Sequence, residues 1–120
     1  MIDGVRLIGN WNLVKHGRVD TLGNYHPTAE QMNGQLIYAS DGSMSVLITK
    51  VPEPALVSDI IAYSGSFSVE GGKVLHHIKV SPYPKRLNTT EVRLASFRGD
   101  DLILTTVPDQ GGRHEIVWRK

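Results

Sequence analysis

The chain has 120 residues, enough for one hydrophobic core, and it contains no cysteine. It therefore cannot form a disulfide framework, a Cys-ligated zinc or iron–sulfur site, or a thiol nucleophile. Its 13 basic and 12 acidic residues give a formal net charge of +1. No basic run is longer than a pair, which argues against nucleic acid or a membrane surface as a partner.

The expected location follows from the same features. The N-terminal residues lack the basic start and long apolar segment of a signal peptide, and no apolar run could span a bilayer. The absence of cysteine also favours a reducing compartment. We expect a cytoplasmic protein that forms a single domain over residues 1–120.

Short apolar stretches alternate with turn signals along the whole chain, which is typical of an all-β sandwich or barrel. The pattern predicts eight strands, at residues 10–16, 34–40, 43–50, 61–69, 73–81, 89–98, 102–107 and 113–119. Residues 17–33 are polar and contain glycine and proline, so they are predicted to form a long loop. Residues 51–60 contain two prolines and are predicted to form a connection, with one helical turn near 54–59.

Most of the predicted strands are joined by tight turns. The pair Asp41-Gly42 tolerates the positive φ of a type I′ turn and is the strongest hairpin signal in the chain. Sequential hairpins produce an up-and-down antiparallel sheet. Eight such strands can close into a barrel that holds one small ligand, and closure removes the exposed sheet edges. We therefore predict a closed eight-stranded antiparallel barrel.

The first predicted strand begins with a Gly-x-Trp motif, Gly9-Asn10-Trp11. Further short segments follow it in order: residues 34–38 and 41–45, the pair His76-His77 with Ser81 and Pro84, and residues 90–93 and 99–104. Together these segments resemble the bacterial lipocalin-like domain family, a branch of the calycin barrels. The resemblance covers nearly the whole chain.

The resemblance implies a barrel with one closed end. In that family the Trp of the motif plugs the closed end, and a basic residue near the end of the last strand packs across its ring. Gly9, Trp11 and Arg119 stand at the matching positions, so Arg119 is expected over the indole of Trp11, a contact worth about 0.5–2 kcal/mol. Distant barrel relatives include carriers of apolar small molecules and cofactor-free cyclases, so the fold does not fix a chemistry.

The neighbours His76 and His77 must point to opposite faces of their strand. Val74, His76 and Ile78 form the more apolar face, which makes His76 the inward residue. An inward histidine can orient a ligand or move a proton, because its ordinary pKa is near neutrality. The alternative is a core histidine that only makes structural hydrogen bonds.

Two charged residues on the next strand, Glu91 and Arg93, share one face. The apolar pattern places the opposite face, with Val92 and Leu94, inside the barrel, whereas the resemblance makes Arg93 a motif residue that points inward. An inward Arg93 could hold a ligand carboxylate by paired hydrogen bonds. It would then need Glu91 or a bound anion as a partner. The sequence leaves both orientations open.

Aromatic residues supply the remaining candidates. Tyr63 and Phe67 share a face, Tyr38 follows Leu36 on another strand, and Trp118 lies on the last strand; each could line a pocket or simply pack in the core. The predicted ligand-binding residues are Tyr38, Tyr63, Phe67, His76, Arg93 and Trp118. The remaining histidines are scattered and no glycine-rich phosphate loop precedes a helix, so we expect neither a metal nor a cofactor.

These features predict a binding protein for a small hydrophobic or aromatic molecule inside the barrel. One alternative is a cofactor-free cyclase or isomerase of small-metabolite biosynthesis, in which His76 or Glu91 is the acid or base. Another is a solidly packed barrel with a structural role, whose outer face forms a homo-oligomer.

Overall fold

The computed structural model describes residues 4–28, 31–50 and 60–120, and within them the chain is almost entirely β-structure. A four-residue helix, α1 (Gly4–Leu7), comes first, and a 3₁₀ turn (Pro84–Arg86) lies between two of the strands. The strands are β1 (Gly9–Val19), β2 (Tyr25–Pro27), β3 (Met32–Tyr38), β4 (Ser43–Lys50), β5 (Ile60–Glu70), β6 (Lys73–Val80), β7 (Thr90–Arg98), β8 (Asp101–Thr106) and β9 (Arg113–Arg119).

The strands close into an antiparallel barrel, as predicted. From β3 to β9 each strand pairs with the next along the chain, and β1 pairs with both β3 and β9. The eight barrel strands are therefore β1 and β3 to β9. Trp11 pairs with Leu36 on one side of β1, and Leu13 pairs with Trp118 on the other side, so the first strand completes the ring.

A ninth strand lies in the segment predicted to be a loop. β2 pairs with the second half of β1, from Gly17 to Val19, beyond the stretch where β1 pairs with β3. Gly17 permits this pairing, because a Cβ at that position would lie 2.5 Å from the ring of Tyr25. The loop prediction for residues 17–33 was wrong over Tyr25–Pro27, which pairs with the free edge of β1, and at its two ends, where residues 17–19 belong to β1 and residues 32–33 to β3.

The hairpin at Asp41-Gly42 is present, but its turn is not type I′. Gly42 has a φ of +93°, whereas Asn88 is the single non-glycine residue with positive φ in the described ranges, so Asp41 has a negative φ. The Gly42 N–H donates to the carbonyl of Ala39 at 3.1 Å, and the Ala39 N–H donates to Ser43 at 2.8 Å. This is a three-residue loop with glycine in the left-handed position.

The barrel has one end filled by side chains. Leu7 of α1 and Trp11 are buried there, and the Trp11 Nε1–H donates to the carbonyl of Leu7 at 2.8 Å. The buried side chains of Tyr38, Met44 and Leu102 belong to the same core. The prediction of a helical turn near 54–59 falls outside the described residues. Among those described, no helix is long and apolar enough to cross a membrane.

The cation over Trp11 is a different residue from the one expected. The Lys120 ammonium lies 4.8 Å from the centroid of the Trp11 ring, whereas Arg119 forms two hydrogen bonds, of 2.8 and 2.9 Å, with the Asp101 carboxylate. The prediction for Arg119 was therefore wrong. The reason is strand alternation: Trp118 points into the barrel, so Arg119 points outward, beside β8. Gly9 has a φ of +140°, a conformation that favours glycine.

Candidate functional site

A cavity inside the barrel lies between the filled end and the opposite, open end. Its inner part has a volume of about 60 Å³ and its outer part a volume of about 270 Å³. Both parts are lined by Ile61, Arg93, Leu104 and Ile116, so they adjoin. The inner part is otherwise lined by Leu36, Val46, Ile48, Tyr63, His76, Arg86 and Trp118. Most of this wall is apolar, and its polar groups are few.

Four of the six predicted ligand-binding residues line the inner cavity: Tyr63, His76, Arg93 and Trp118. The other two, Tyr38 and Phe67, lie in a second layer of the barrel core, nearer the filled end. Their rings pack against each other with centroids 4.6 Å apart, and the Tyr38 ring also contacts His76. In this structure Tyr38 and Phe67 pack against the cavity lining in the core and do not line the cavity themselves.

His76 connects the two layers. It lies on the inner face of β6 and is only 2% exposed. Its Nε2 is 2.6 Å from the hydroxyl of Tyr38, and its Nδ1 is 2.7 Å from the hydroxyl of Tyr63. His77 points outward, as predicted, and makes hydrogen bonds with Ser68 and Thr90. Strand alternation thus places one histidine of the pair in the core and the other at the surface.

Burial keeps the three groups of this cluster neutral. It lowers the pKa of His76 to about 3, with the Arg93 charge and then His77 acting in the same direction. It also raises the pKa of Tyr63 to about 12 and that of Tyr38 well above its usual range. A neutral imidazole has one N–H donor and one acceptor nitrogen, so one tyrosine must donate to His76 and the other must accept from it.

This arrangement limits the chemistry of His76. Both ring nitrogens are engaged by tyrosine hydroxyls and protonation is unfavourable at neutral pH, so in this structure the neutral imidazole orients the two phenols. The tyrosine that accepts from His76 keeps its own O–H hydrogen, which is free to donate elsewhere. Tyr63 lines the cavity, so its hydroxyl can meet a ligand.

The register of β7 decides the orientation that the sequence left open. Arg93 pairs with Val74 and Glu91 pairs with His76, and directly paired residues share a face of the sheet. Val74 and His76 are both buried inside the barrel, so Glu91 and Arg93 lie on the inner face. The apolar pattern misled because the outward side chains of this strand, such as Val92, are half-buried on the outer surface.

Arg93 belongs to a small ionic network at the cavity wall. Its guanidinium donates to Glu91 Oε2 at 3.3 Å and to the carbonyl of Val92 at 3.0 Å. Arg86 donates to the other oxygen of Glu91 at 3.1 Å, and its guanidinium lies 5.5 Å from the Tyr63 ring centroid. Two cations thus share one carboxylate, which leaves one positive charge without a carboxylate partner within this network.

Two histidines that the sequence did not bring together meet at the open end. The rings of His16 and His114 stack with centroids 6.0 Å apart and planes within 8° of parallel, and both residues line the outer cavity. His16 also makes a 2.8 Å hydrogen bond with Thr28. Burial, and then the proximity of His114, lower the pKa of His16. The β1–β9 register that closes the barrel creates this pair.

Trp118 contributes a polar atom without an assigned role. The residue is 1% exposed and lines the inner cavity, and its Nε1–H has no hydrogen-bond acceptor within the described part of the chain. Over the same ranges, no three histidine, aspartate or glutamate side chains converge in a way that could hold a metal ion.

Comparison with known proteins places this geometry in a family. A family model described as a lipocalin-like domain matches residues 8–59 and 53–120. A curated relative from Aspergillus oryzae, the 4'-hydroxy-3'-methoxypropiophenone carrier protein ppsC, is 33% identical over an alignment of 73 residues, and the match covers 50% of this chain and 66% of the relative. The match thus spans just under two thirds of that relative's length. With the barrel topology and the family match over nearly all of its residues, the chain belongs to the lipocalin-like domain family.

Proposed function

We propose that this protein is a carrier that binds a small hydrophobic or aromatic molecule inside its barrel. The observation that carries the proposal is the cavity itself, whose apolar wall is interrupted by a few polar groups. Sites for small molecules commonly have this composition. The outer part has a volume of about 270 Å³ and opens to solvent, and an enclosed apolar cavity of about 150 Å³ is already large enough to hold benzene.

The curated relative supports the same class of ligand. Its printed name describes a carrier for an aromatic ketone that bears a hydroxyl and a methoxy group. The aromatic and aliphatic side chains around the cavity of this chain suit such a ring, and Tyr63 and Arg93 can donate hydrogen bonds to its oxygens. The ketone is therefore a rational first probe, and other single-ring aromatics complete the panel.

Tryptophan fluorescence provides the test, because Trp118 lines the cavity and Trp11 lies at the filled end. Titration with the aromatic ketone is expected to quench the fluorescence in a saturable, one-to-one manner, and the quenching should largely disappear in W118F. Isothermal titration calorimetry on the same samples reports binding independently of the tryptophans.

Two size variants make the test specific for the cavity. Leu104 is common to both parts of the cavity wall, so L104F is expected to weaken binding at least tenfold by filling the space. Leu47 is 51% exposed on the outer surface, and L47F, which makes the same change there, should bind as the wild type does. Unchanged binding by L104F, or no saturable binding across the panel, would refute the proposal.

Three other expectations from the sequence stay predictions. These are the single domain over residues 1–120, the cytoplasmic location and assembly into a homo-oligomer. Native mass spectrometry of the purified protein tests the last of them and reports any retained small molecule in the same experiment.

A further inference from the structure

We propose that the barrel holds its aromatic ligand through a deprotonated oxygen, a phenolate or a carboxylate, which lies between Arg93 and the hydroxyl of Tyr63. This inference rests on the proposed carrier function and narrows it to one chemical class of ligand. It follows from the hydrogen-bonding capacity of the wall, the charge at the wall and the direction of the buried hydrogen-bond chain.

Apart from the Tyr63 hydroxyl, which can donate or accept, the side-chain polar groups of the inner wall that are not already paired on every polar atom are hydrogen-bond donors. Arg86 and Arg93 have no acceptor atom, and the indole N–H of Trp118 is a donor only. That indole N–H is also buried and has no acceptor in the described residues. Both nitrogens of His76 are already engaged by tyrosines. A ligand that pairs with this wall must therefore supply acceptor atoms.

The charge at the wall selects among acceptors. Glu91 is shared by Arg86 and Arg93, so this network has a net positive charge. No carboxylate side chain lines either part of the cavity among the described residues, and the titratable groups at the open end are His16 and His114, which can only add positive charge. In a partly buried apolar site, an unmatched cation favours an anionic partner over a neutral one.

The buried hydrogen-bond chain from Tyr38 through His76 to Tyr63 supplies a second donor, the Tyr63 hydroxyl, to the ligand oxygen. Tyr38 lies in the barrel core and Tyr63 lines the cavity. If Tyr38 donates to His76 Nε2, then His76 Nδ1–H donates to the Tyr63 oxygen, and the Tyr63 O–H hydrogen points to a ligand. An oxyanion beside Tyr63 stabilises this direction of the chain over the reverse one. The anion then receives hydrogen bonds from a phenol and a guanidinium.

The ligand's own protonation state is the readout. 4'-Hydroxyacetophenone is the phenol probe, 4'-methoxyacetophenone is its neutral analogue, and benzoate is the carboxylate probe. A hydroxyaryl ketone absorbs at longer wavelength as its phenolate, so binding at a pH below the free phenol's pKa is expected to raise the phenolate band, with the released proton passing to solvent. We expect the hydroxy ketone to bind about tenfold to a hundredfold more tightly than the methoxy ketone.

Matched arginine variants assign the effect. R93M is expected to abolish the absorbance change and the preference for the hydroxy ketone, whereas R93K should keep part of both. Arg18, whose guanidinium donates to the carbonyl of Gly111 at the surface, provides the control, and R18M should behave as the wild type does. Circular dichroism verifies that each variant is folded.

The possible results separate this inference from the carrier function. Tight binding of the hydroxy ketone with a phenolate band identifies a phenolate site, and preferential binding of benzoate identifies a carboxylate site. Equal binding of the hydroxy and methoxy ketones without an absorbance change, together with benzoate binding no tighter than either, would overturn the inference and leave the carrier function standing. Absence of binding by every probe, including the neutral ones, would overturn both.

Discussion

His76 makes the stability of the barrel depend on pH. Burial lowers its pKa in the folded state from 6.5 to about 3, whereas in the unfolded chain the imidazole is exposed to water. Between these two values the unfolded state binds one proton more than the folded state does. By linkage, the free energy of unfolding increases with pH over this range. The contribution of His76 to stability is therefore lost progressively as the pH falls below 6.5.

The size of the effect follows from that pKa difference. One bound proton corresponds to about 1.4 kcal/mol for each pH unit, so His76 alone is expected to cost about 2 kcal/mol of stability between pH 6.5 and pH 5. The lowered pKa of His16 acts with the same sign. The lowered pKa values of Asp20, Asp41 and Asp101 act at more acidic pH, below the ordinary aspartate pKa of 3.8.

Urea unfolding, followed by circular dichroism from pH 7.5 to pH 5, measures this slope. H76Q can still bridge both tyrosines with its amide, but it cannot take up a proton, so its slope should be smaller by about one proton. H77Q is the matched control, because it removes the outward histidine of the same strand and keeps His76 with both its tyrosine partners. A slope that survives unchanged in H76Q, or a flat wild-type profile over this range, would refute the reasoning.

Two further predictions concern packing. A Cβ at Gly65 would lie 1.9 Å from the backbone carbonyl oxygen of His77, so G65A is expected to lower the free energy of unfolding by about 1–3 kcal/mol or more. A Cβ at Gly72 would have nothing within 4 Å, so the control variant G72A should change the free energy of unfolding by less than about 0.5 kcal/mol in the same urea titration. K120M should remove the cation over Trp11, which shifts the tryptophan emission and costs about 0.5–1 kcal/mol, and an unchanged spectrum would contradict that contact.

The sequence predicted the strands well because their signals are local. Alternation of inward and outward side chains has a period of two residues, and glycines mark the turns between hairpins. Residues 73–81 and 89–98 were predicted as strands, and the structure has Lys73–Val80 and Thr90–Arg98. Closure of the barrel was also predictable, since an up-and-down sheet of eight strands has two edges that can pair.

Two of the errors, at β2 and at the Asp41-Gly42 turn, arise because tertiary contacts override local preference. β2 is too polar to be recognised as a strand, and it pairs because β1 extends beyond β3 and leaves a free edge. The pair Asp41-Gly42 is compatible with both a type I′ turn and a three-residue hairpin loop. The pairing of Tyr38 with Met44 is the register that the three-residue loop produces. The error at Arg119 has a local cause. The Arg119 side chain points outward and pairs with Asp101, and the side chain of the next residue, Lys120, contacts the Trp11 indole.

The site was predictable only where a single strand determines it. The inward direction of His76 followed from the apolar residues on either side of it in β6. Its engagement with Tyr38 and Tyr63 requires the registers of three strands, although both tyrosines were already candidates. Likewise, no local signal connects His16 with His114, because these residues meet only when β1 closes against β9.

Arg93 shows how stability and function separate in this barrel. Apolar residues often replace partly buried ion pairs at no cost, provided that no charge is left unpaired. Glu91 keeps Arg86 as a partner when Arg93 is removed, so R93M is expected to leave the ligand-free protein as stable as the wild type, or more stable. E91Q leaves two guanidinium groups together and should destabilise it. If R93M proved as destabilising as E91Q, Arg93 would be a structural member of the network; unchanged stability with lost anion binding instead assigns its charge to the ligand.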